Sequence, residues 1–352
     1  MKPLLFEGEK LYCAKFDKIC STSDLGKTFQ DEGKLDLQIP FKSLLGFSYL
    51  ARRIMRAEVY RMRVLPNGNR VYVFRGGIYT QAAGEDSAKL SMKITRGSRP
   101  TSLCVSKEGH AVFGEYWKNQ DRESVRVYAS KDSGLSWQAV YEFAPGSIRH
   151  IHGIQYDEWD DCYWIATGDD GDEVQLIRAS TDFSKIEIVR QGLQDYRFFS
   201  LTVSKEKLLL ATDSPDDQNH IFLYDKKADR LETATTIENA SFFSCQVGNH
   251  HFVSTITEPT EVNDETASYL WAGSQETDNW RRIVKFPVDR LYKLSRTPFV
   301  LNALFQYSTV FFPDGPNPSD QLVCYPIGVT PYSNALLFFD TKALMSEADK
   351  PG

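Results

Sequence analysis

The residues with types and spacing fit for chemistry fall in a few polar runs, each ending an apolar, strand-like segment. They read Gly114-Glu115-Tyr116-Trp117-Lys118-Asn119, Thr167-Gly168-Asp169-Asp170-Gly171-Asp172, Thr212-Asp213-Ser214-Pro215-Asp216 and Thr257-Glu258, with Phe74-Arg75-Gly76-Gly77 in the same place earlier. Between them lie Ser147-Ile148-Arg149-His150-Ile151-His152-Gly153 and Asp195-Tyr196-Arg197-Phe198. Two carboxylates about 5–10 Å apart can act as acid and base, or acid and nucleophile, at a glycosidic bond, and Glu115 with Asp169 is the pair expected to do so. Arg75, Arg149 and Arg197 suit an anionic sugar, because a guanidinium matches a carboxylate with two parallel hydrogen bonds. His150 and His152 alternate on a strand start and so point the same way, and His152 is the third catalytic candidate. Tyr116, Asn119, His150, Asp170, Asp213 and Glu258 complete the expected substrate-binding set. An eliminative lyase using His150 or His152 with a Tyr as base fits the same pattern. The two histidines with Asp169 or Asp170 could ligate a metal, but two His are a weak metal signal. The acids after Gly168 lack the spacing and closing Glu of an EF-hand loop. No metal and no cofactor is assigned.

These residues need elements to converge them, and the clearest element signal is Ser130-Lys131-Asp132-Ser133-Gly134-Leu135-Ser136-Trp137, flanked by strand-like runs. An Asp carboxylate can accept the amide protons of a turn, and Gly134 can take a positive φ. Trp137 then opens the next strand with a large plate to bury. The pattern S-x-D-x-G-x-x-W resembles the Asp-box, or BNR, hairpin of sialidases and other β-propellers. Thr22 to Phe29 repeats it with Asp24, Gly26 and Phe29, Asp182 keeps the acid without the Gly, and Ser274 to Trp280 is more worn. Asp132 and Asp182 lie 50 residues apart and Asp24 and Asp132 lie 108 apart, about two such periods. A period near 50 marks a propeller in which each repeat is one four-stranded blade.

Blades are expected with strands at 101–106, 110–116, 125–130 and 136–143; 152–157, 162–168, 174–180 and 186–191; 198–204, 207–213, 220–225 and 231–237; and 242–248, 250–257, 268–274 and 280–286. An earlier blade lies at 59–94, and the last segment, 301–340, holds three strands whose ring the N-terminal strands complete. The expected fold is an all-β propeller of seven blades, with six as the alternative, in one domain over 1–352. Its connectivity puts the Asp-box turns on one face and the polar runs on the other, around the central channel. Apolar residues and arginines at near-helical spacing over 43–62 predict an inserted amphipathic helix over the rim or mouth, and 341–352 reads as a short polar tail.

Hydrophobic content of 41% with 25% charged residues is ordinary for a soluble globular chain of 352 residues. A net charge of −6 argues against general nucleic-acid binding, and no apolar run approaches the roughly 20 residues of a membrane span. The start breaks into acids early for a signal peptide. The six cysteines form no C-x-x-C pair and four sit in apolar strand patterns, so free thiols in a reducing, cytoplasmic compartment are expected.

The run from Gly114-Glu115-Tyr116 through Arg126-Val127-Tyr128-Ala129-Ser130-Lys131-Asp132 and Gly146-Ser147-Ile148-Arg149-His150-Ile151-His152-Gly153 to Thr167-Gly168-Asp169-Asp170 is similar to BNR-repeat, sialidase-like proteins often encoded with bacterial surface-polysaccharide biosynthesis genes. The resemblance is strongest over about residues 50–185 and thin beyond 230. It implies a propeller and glycan-related work. The chain departs from true sialidases at Phe74-Arg75-Gly76, which lacks the Ile-Pro of their early arginine strand. It shows no Tyr–Glu nucleophile pair, for which Tyr307 or Tyr325 would have to stand in. The expected function is a carbohydrate-active enzyme of bacterial polysaccharide metabolism that cleaves a glycosidic bond in an acidic oligo- or polysaccharide. The alternative is a non-catalytic propeller that binds a glycan or partner proteins.

Overall fold

A computed structural model describes residues 1–39, 42–257, 266–274, 279–295 and 308–347, and they are mostly β. The first sheet is β1 (Lys2–Glu7), β2 (Lys10–Lys15), β3 (Lys18–Thr22) and β4 (Gln30–Leu35). Helices α1 (Lys42–Phe47) and α2 (Tyr49–Met55) follow. Next come β5 (Arg61–Val64), β6 (Arg70–Phe74), β7 (Gly77–Gln81) and β8 (Ser87–Lys93), joined to the first set by a parallel contact of β4 with β8. Three more antiparallel sheets are β9 (Cys104–Val105) to β12 (Gln138–Phe143), β13 (His150–Asp157) to β16 (Ile186–Gln191), and β17 (Phe198–Val203) to β20 (Arg230–Ile237). A fourth is β21 (Ser241–Val247) to β24 (Arg281–Pro287), followed by α3 (Arg290–Ser295). The last sheet has three strands, β25 (Thr309–Phe311), β26 (Gln321–Ile327) and β27 (Leu337–Asp340), before α4 (Thr341–Glu347).

Inner strands are apolar where neighbouring sheets cover both of their faces. All seven residues of β14, CYWIATG, are buried. The fourth strands, such as β12 and β16, are mostly exposed or half-buried. First strands face one another around a central channel: β13 packs on β9 and β17, β17 on β21, and β1 on β5, with β26, the second strand of the last sheet, also against β1.

The hairpin turns bind one sheet to the next. Asp132 accepts the Ser136 amide at 2.9 Å and the Ser130 and Ser136 hydroxyls, while the Gly134 amide donates to Ser130 Oγ at 2.8 Å. Gly134 has φ +85°, and a Cβ there would meet Val71 Cγ2 at 2.7 Å on the preceding sheet. Thr80 Oγ1 donates to the Gly134 carbonyl, Asn69 Nδ2 to that of Ser133, and Trp137 Nε1 to Ser91 Oγ. Asp24 likewise accepts the Thr22 hydroxyl and the Thr28 amide while the Gly26 amide donates to Thr22 Oγ1, and Phe29 packs in one apolar cluster with Phe338 of the last sheet. Asp182 accepts from Ser180 and Ser184, and Phe183 stacks on Tyr163.

Two expectations are corrected, the inserted helix and the tail. The helix expected over 43–62 is two short helices, broken at Ser48, which caps α2 by accepting the Ala51 amide at 3.1 Å. Its arginines point inward, Arg52 to Glu58 at 2.7 Å and Arg53 to Asp289, while Leu44, Phe47 and Leu50 are exposed. The N-terminal strands form four antiparallel strands that stand between the last sheet and β5. The tail opens as α4, with the Thr341 hydroxyl donating to the Asp320 carbonyl, and residues 348–352 lie outside the described residues. The turn expected over Ser274 to Trp280 falls partly there too.

Candidate functional site

The polar runs meet at the end of the channel where β13 begins. Two residues along a regular strand advance about 6.6 Å, but the β13–β14 register slips between Ile151 and Gly153. This bulge at His152 leaves the His150 and His152 rings 4.9 Å apart. The same slip recurs at Phe199 and Phe242 in the next two first strands, so three equivalent side chains line one level of the channel. His152 lies 5.3 Å from the Phe199 ring, which stacks on Phe242 at 4.1 Å. Tyr116 covers His150 at 4.4 Å. Gly168 makes room for the cluster, since a Cβ there would meet His152 Cε1 at 3.1 Å.

Asp169, at the end of β14, is the hub. Its Oδ1 lies 3.2 Å from His150 Nε2, 3.0 Å from His152 Nε2 and 3.1 Å from an Arg197 nitrogen, and its Oδ2 lies 2.8 Å from Arg149. The two Nε2 atoms are 3.0 Å apart. Each ring is fixed from behind: His150 Nδ1 contacts the Trp117 carbonyl at 2.7 Å and His152 Nδ1 the Phe198 carbonyl at 3.1 Å. Burial holds His152 neutral, its pKa pushed down to about 4. Burial works to raise the Asp169 pKa, but its contacts with the two imidazoles and the charge of Arg197 outweigh it and hold the carboxyl well below the usual range. Asp169 is therefore a fixed anion rather than a proton donor.

The structure brings Tyr116, Arg149, His150, His152, Asp169, Arg197 and Asp213 together, with Asp213 3.9 Å from Arg197. Arg149 uses Nε on the Lys118 carbonyl and Nη1 on Asp169. Glu115 is buried in a different partnership, a two-pronged ion pair with Arg96 plus the Arg126 amide at 2.9 Å. Burial still pushes its pKa up. Both carboxylates expected to act as acid and base are thus engaged by arginines. Asn119 is a loop clamp: its Nδ2 donates to the Glu123 and Arg149 carbonyls and its Oδ1 accepts the Glu123 amide. Asp170 is exposed beside Arg122 at 3.7 Å, and Arg75 lines a different recess with Arg56 and Arg99. Glu258 and Tyr307 lie outside the described residues. Tyr325 is buried in the core and donates to Asn334. Sequence reasoning missed Arg96, Phe199 and Phe242. The aromatics carried a signal, each being the second residue of a first strand.

The far end of the channel, where the turns between first and second strands meet, opens into a vestibule of about 1020 Å³. Gln155, Gln246, Asn317 and the half-exposed Trp159 line it.

No protein-family model matches the chain, and no curated protein matches it. Solved structures do. An ancestral GH74 enzyme aligns with a TM-score of 0.56 at 11% identity over 94% of this chain and 45% of its own. The extracellular domain assigned to a one-component system of B. thetaiotaomicron gives 0.52 at 12%, over 81% of this chain and 35% of its own. An oligogalacturonate lyase in complex with manganese gives 0.50 at 10%, over 81% and 77%. The chain spans less than half of the first two. These likenesses give the fold: this chain is structurally similar to β-propeller proteins.

Proposed function

We propose that this protein is a single-domain propeller of seven blades, fastened by Asp-box hairpins, that cleaves an acidic glycan by elimination at the channel end where Tyr116, Arg149, His150, His152, Asp169 and Arg197 meet. The observation that carries this reading is the convergence of two imidazoles, two guanidiniums and one carboxylate beside an aromatic wall. Structurally similar proteins include a glycoside hydrolase and a lyase acting on an acidic sugar, which supports carbohydrate work without choosing the reaction. The carboxylate pair of a hydrolase is not favoured, because Glu115 and Asp169 are each ion-paired. In elimination at a uronic acid, the C–H bond beside the carboxylate breaks and its proton passes to a base. The β C–O bond then breaks, a C=C bond forms, and the departing oxygen takes up a proton. Positive charge near the sugar carboxylate stabilises the developing negative charge, a role for Arg149 and Arg197, which share the single charge of Asp169 and so leave a net positive charge there. Tyr116, half-buried over His150, is the proton-handling group.

The test is product analysis on uronate oligosaccharides, following ultraviolet absorbance of the new double bond. Wild type is expected to release unsaturated product and Tyr116→Phe to lower kcat about 100-fold or more. Glu115→Gln is expected to lose stability, by up to about 3 kcal/mol, through its broken pair with Arg96. A saturated product that vanishes in a folded Glu115→Gln variant would restore the carboxylate pair and sink elimination. Binding without product would favour the second reading, a glycan-binding propeller. Trp159 exposed on the wide vestibule supports that reading, and Trp159→Ala is then the variant expected to lose binding.

A further inference from the structure

We propose that His150 Nε2, His152 Nε2 and Asp169 Oδ1 form one face of a divalent transition-metal site. Each imidazole has its Nδ1 against a backbone carbonyl, at 2.7 Å for His150 and 3.1 Å for His152. A carbonyl oxygen only accepts, so each Nδ1 carries the ring proton and each neutral ring presents a lone pair at Nε2. Those lone pairs meet each other at 3.0 Å and meet Asp169 Oδ1 at 3.2 and 3.0 Å. Arg149 and Arg197 answer the charge of Asp169, but the two Nε2 lone pairs face each other at 3.0 Å with no donor of their own, so a proton or a cation must sit between them.

The triangle has the size a metal requires. Ligand atoms about 2.1 Å from an ion and at right angles to one another stand about 3.0 Å apart. Two histidines and one carboxylate on one face are a known ligand set for first-row divalent ions, and leave other positions open to water or substrate oxygen. The surroundings are those of a metal ligand shell. Both Nδ1–H groups donate to carbonyls, which fixes tautomer and ring orientation. Arg149 on Oδ2 and Arg197 on Oδ1 orient the carboxylate, whose two oxygens offer about four acceptor sites. All three ligand residues are buried, and among the described residues this is the group of histidine, cysteine and acidic side chains that could hold a metal.

The alternative is a proton shared between His150 and Asp169 with no ion. The two are separated with Mn²⁺, using full-length protein washed with chelator. Equilibrium dialysis is expected to show one equivalent bound, and the paramagnetic ion to broaden the ring resonances of His150 and His152. His150→Gln and His152→Gln, checked for folding by circular dichroism, are expected to bind at least about tenfold more weakly. No bound Mn²⁺, sharp histidine rings beside bound Mn²⁺, or unchanged affinity in the folded variants would each overturn the site. Metal binding is read with no sugar present, so it stands or fails separately from the glycan reading.

Discussion

At the scale of single residues, a polar side chain in this fold is defined by what it is held against. His150 and His152 were legible as a pair because alternation on a strand puts them on one side. Their approach to 4.9 Å was not, because it depends on a bulge that no residue type announces. Glu115 was misread for a related reason: its partner Arg96 is 19 positions earlier, in the loop entering the sheet, and only the closed fold joins them. His251 shows what an unpartnered titratable group does. It is buried in β22 (His250–Thr255), its Nδ1 has no hydrogen-bond partner, and burial, with His250 beside it, pushes its pKa down from 6.5 to about 4. Above pH 6.5 neither the folded nor the unfolded chain is protonated there. As pH falls toward 4 the unfolded chain takes up the proton and the folded one does not, so stability drops by about 3 kcal/mol across that window. Urea unfolding at pH 7 and pH 4.5, in chelator, is expected to show a shallower fall for His251→Phe than for wild type, leaving the part due to His152. Equal falls would show that His251 is already protonated in the fold.

At the scale of elements, the strands were the most legible part. The observed strands Val125–Ser130, Cys162–Gly168 and Ile186–Gln191 match the expected ranges, since Cys162–Gly168 is nearly a continuous apolar run and the other two alternate. The expected helix failed because its arginines looked solvent-facing by type, yet Arg52 is buried on Glu58. The hairpins were legible as turns but not as fasteners, for the contacts of Gly134 with Val71 and Thr80 span more than 50 positions of sequence. That difference is measurable. Gly84 and Gly134 both have positive φ, but a Cβ at Gly84 would meet nothing within 4 Å, while one at Gly134 would strike Val71. Gly84→Ala is expected to cost about 1 kcal/mol of left-handed strain. Gly134→Ala should cost that plus roughly 1–3 kcal/mol of overpacking. Equal losses in urea denaturation would mean that the turn does not bear on the neighbouring sheet.

At the scale of the whole molecule, a ring of sheets is only as stable as its seam. Here the seam is β1, which stands between the last sheet and β5. The Phe6 amide donates to the Asp314 carbonyl at 2.8 Å, and the Asp314 amide donates to the Leu4 carbonyl at 2.9 Å. The Asp314 carboxylate pairs with Arg61 at 2.8 Å and with Arg63, both on β5. Burial opposes that charge, but the two arginines outweigh it and keep the carboxyl below its ordinary pKa. The buried Lys2 Nζ donates to the Val59 and Tyr60 carbonyls at 3.1 and 3.3 Å, tying the same strand to the entry of β5. One residue, Asp314, thus holds β1 through its backbone and β5 through its carboxylate. Removing one partner of a buried ion pair costs about 3–5 kcal/mol, so Asp314→Asn should weaken closure more than any surface change. Because the seam is local, hydrogen exchange should rise together at 2–7, 61–64 and 309–311, while 162–168, in the sheet most distant along the chain from either end, keeps its protection. Uniform loss of protection across all sheets would mean that the ring opens only by unfolding as a whole. Loss confined to 309–311 would mean that Asp314 serves its own loop and closes nothing.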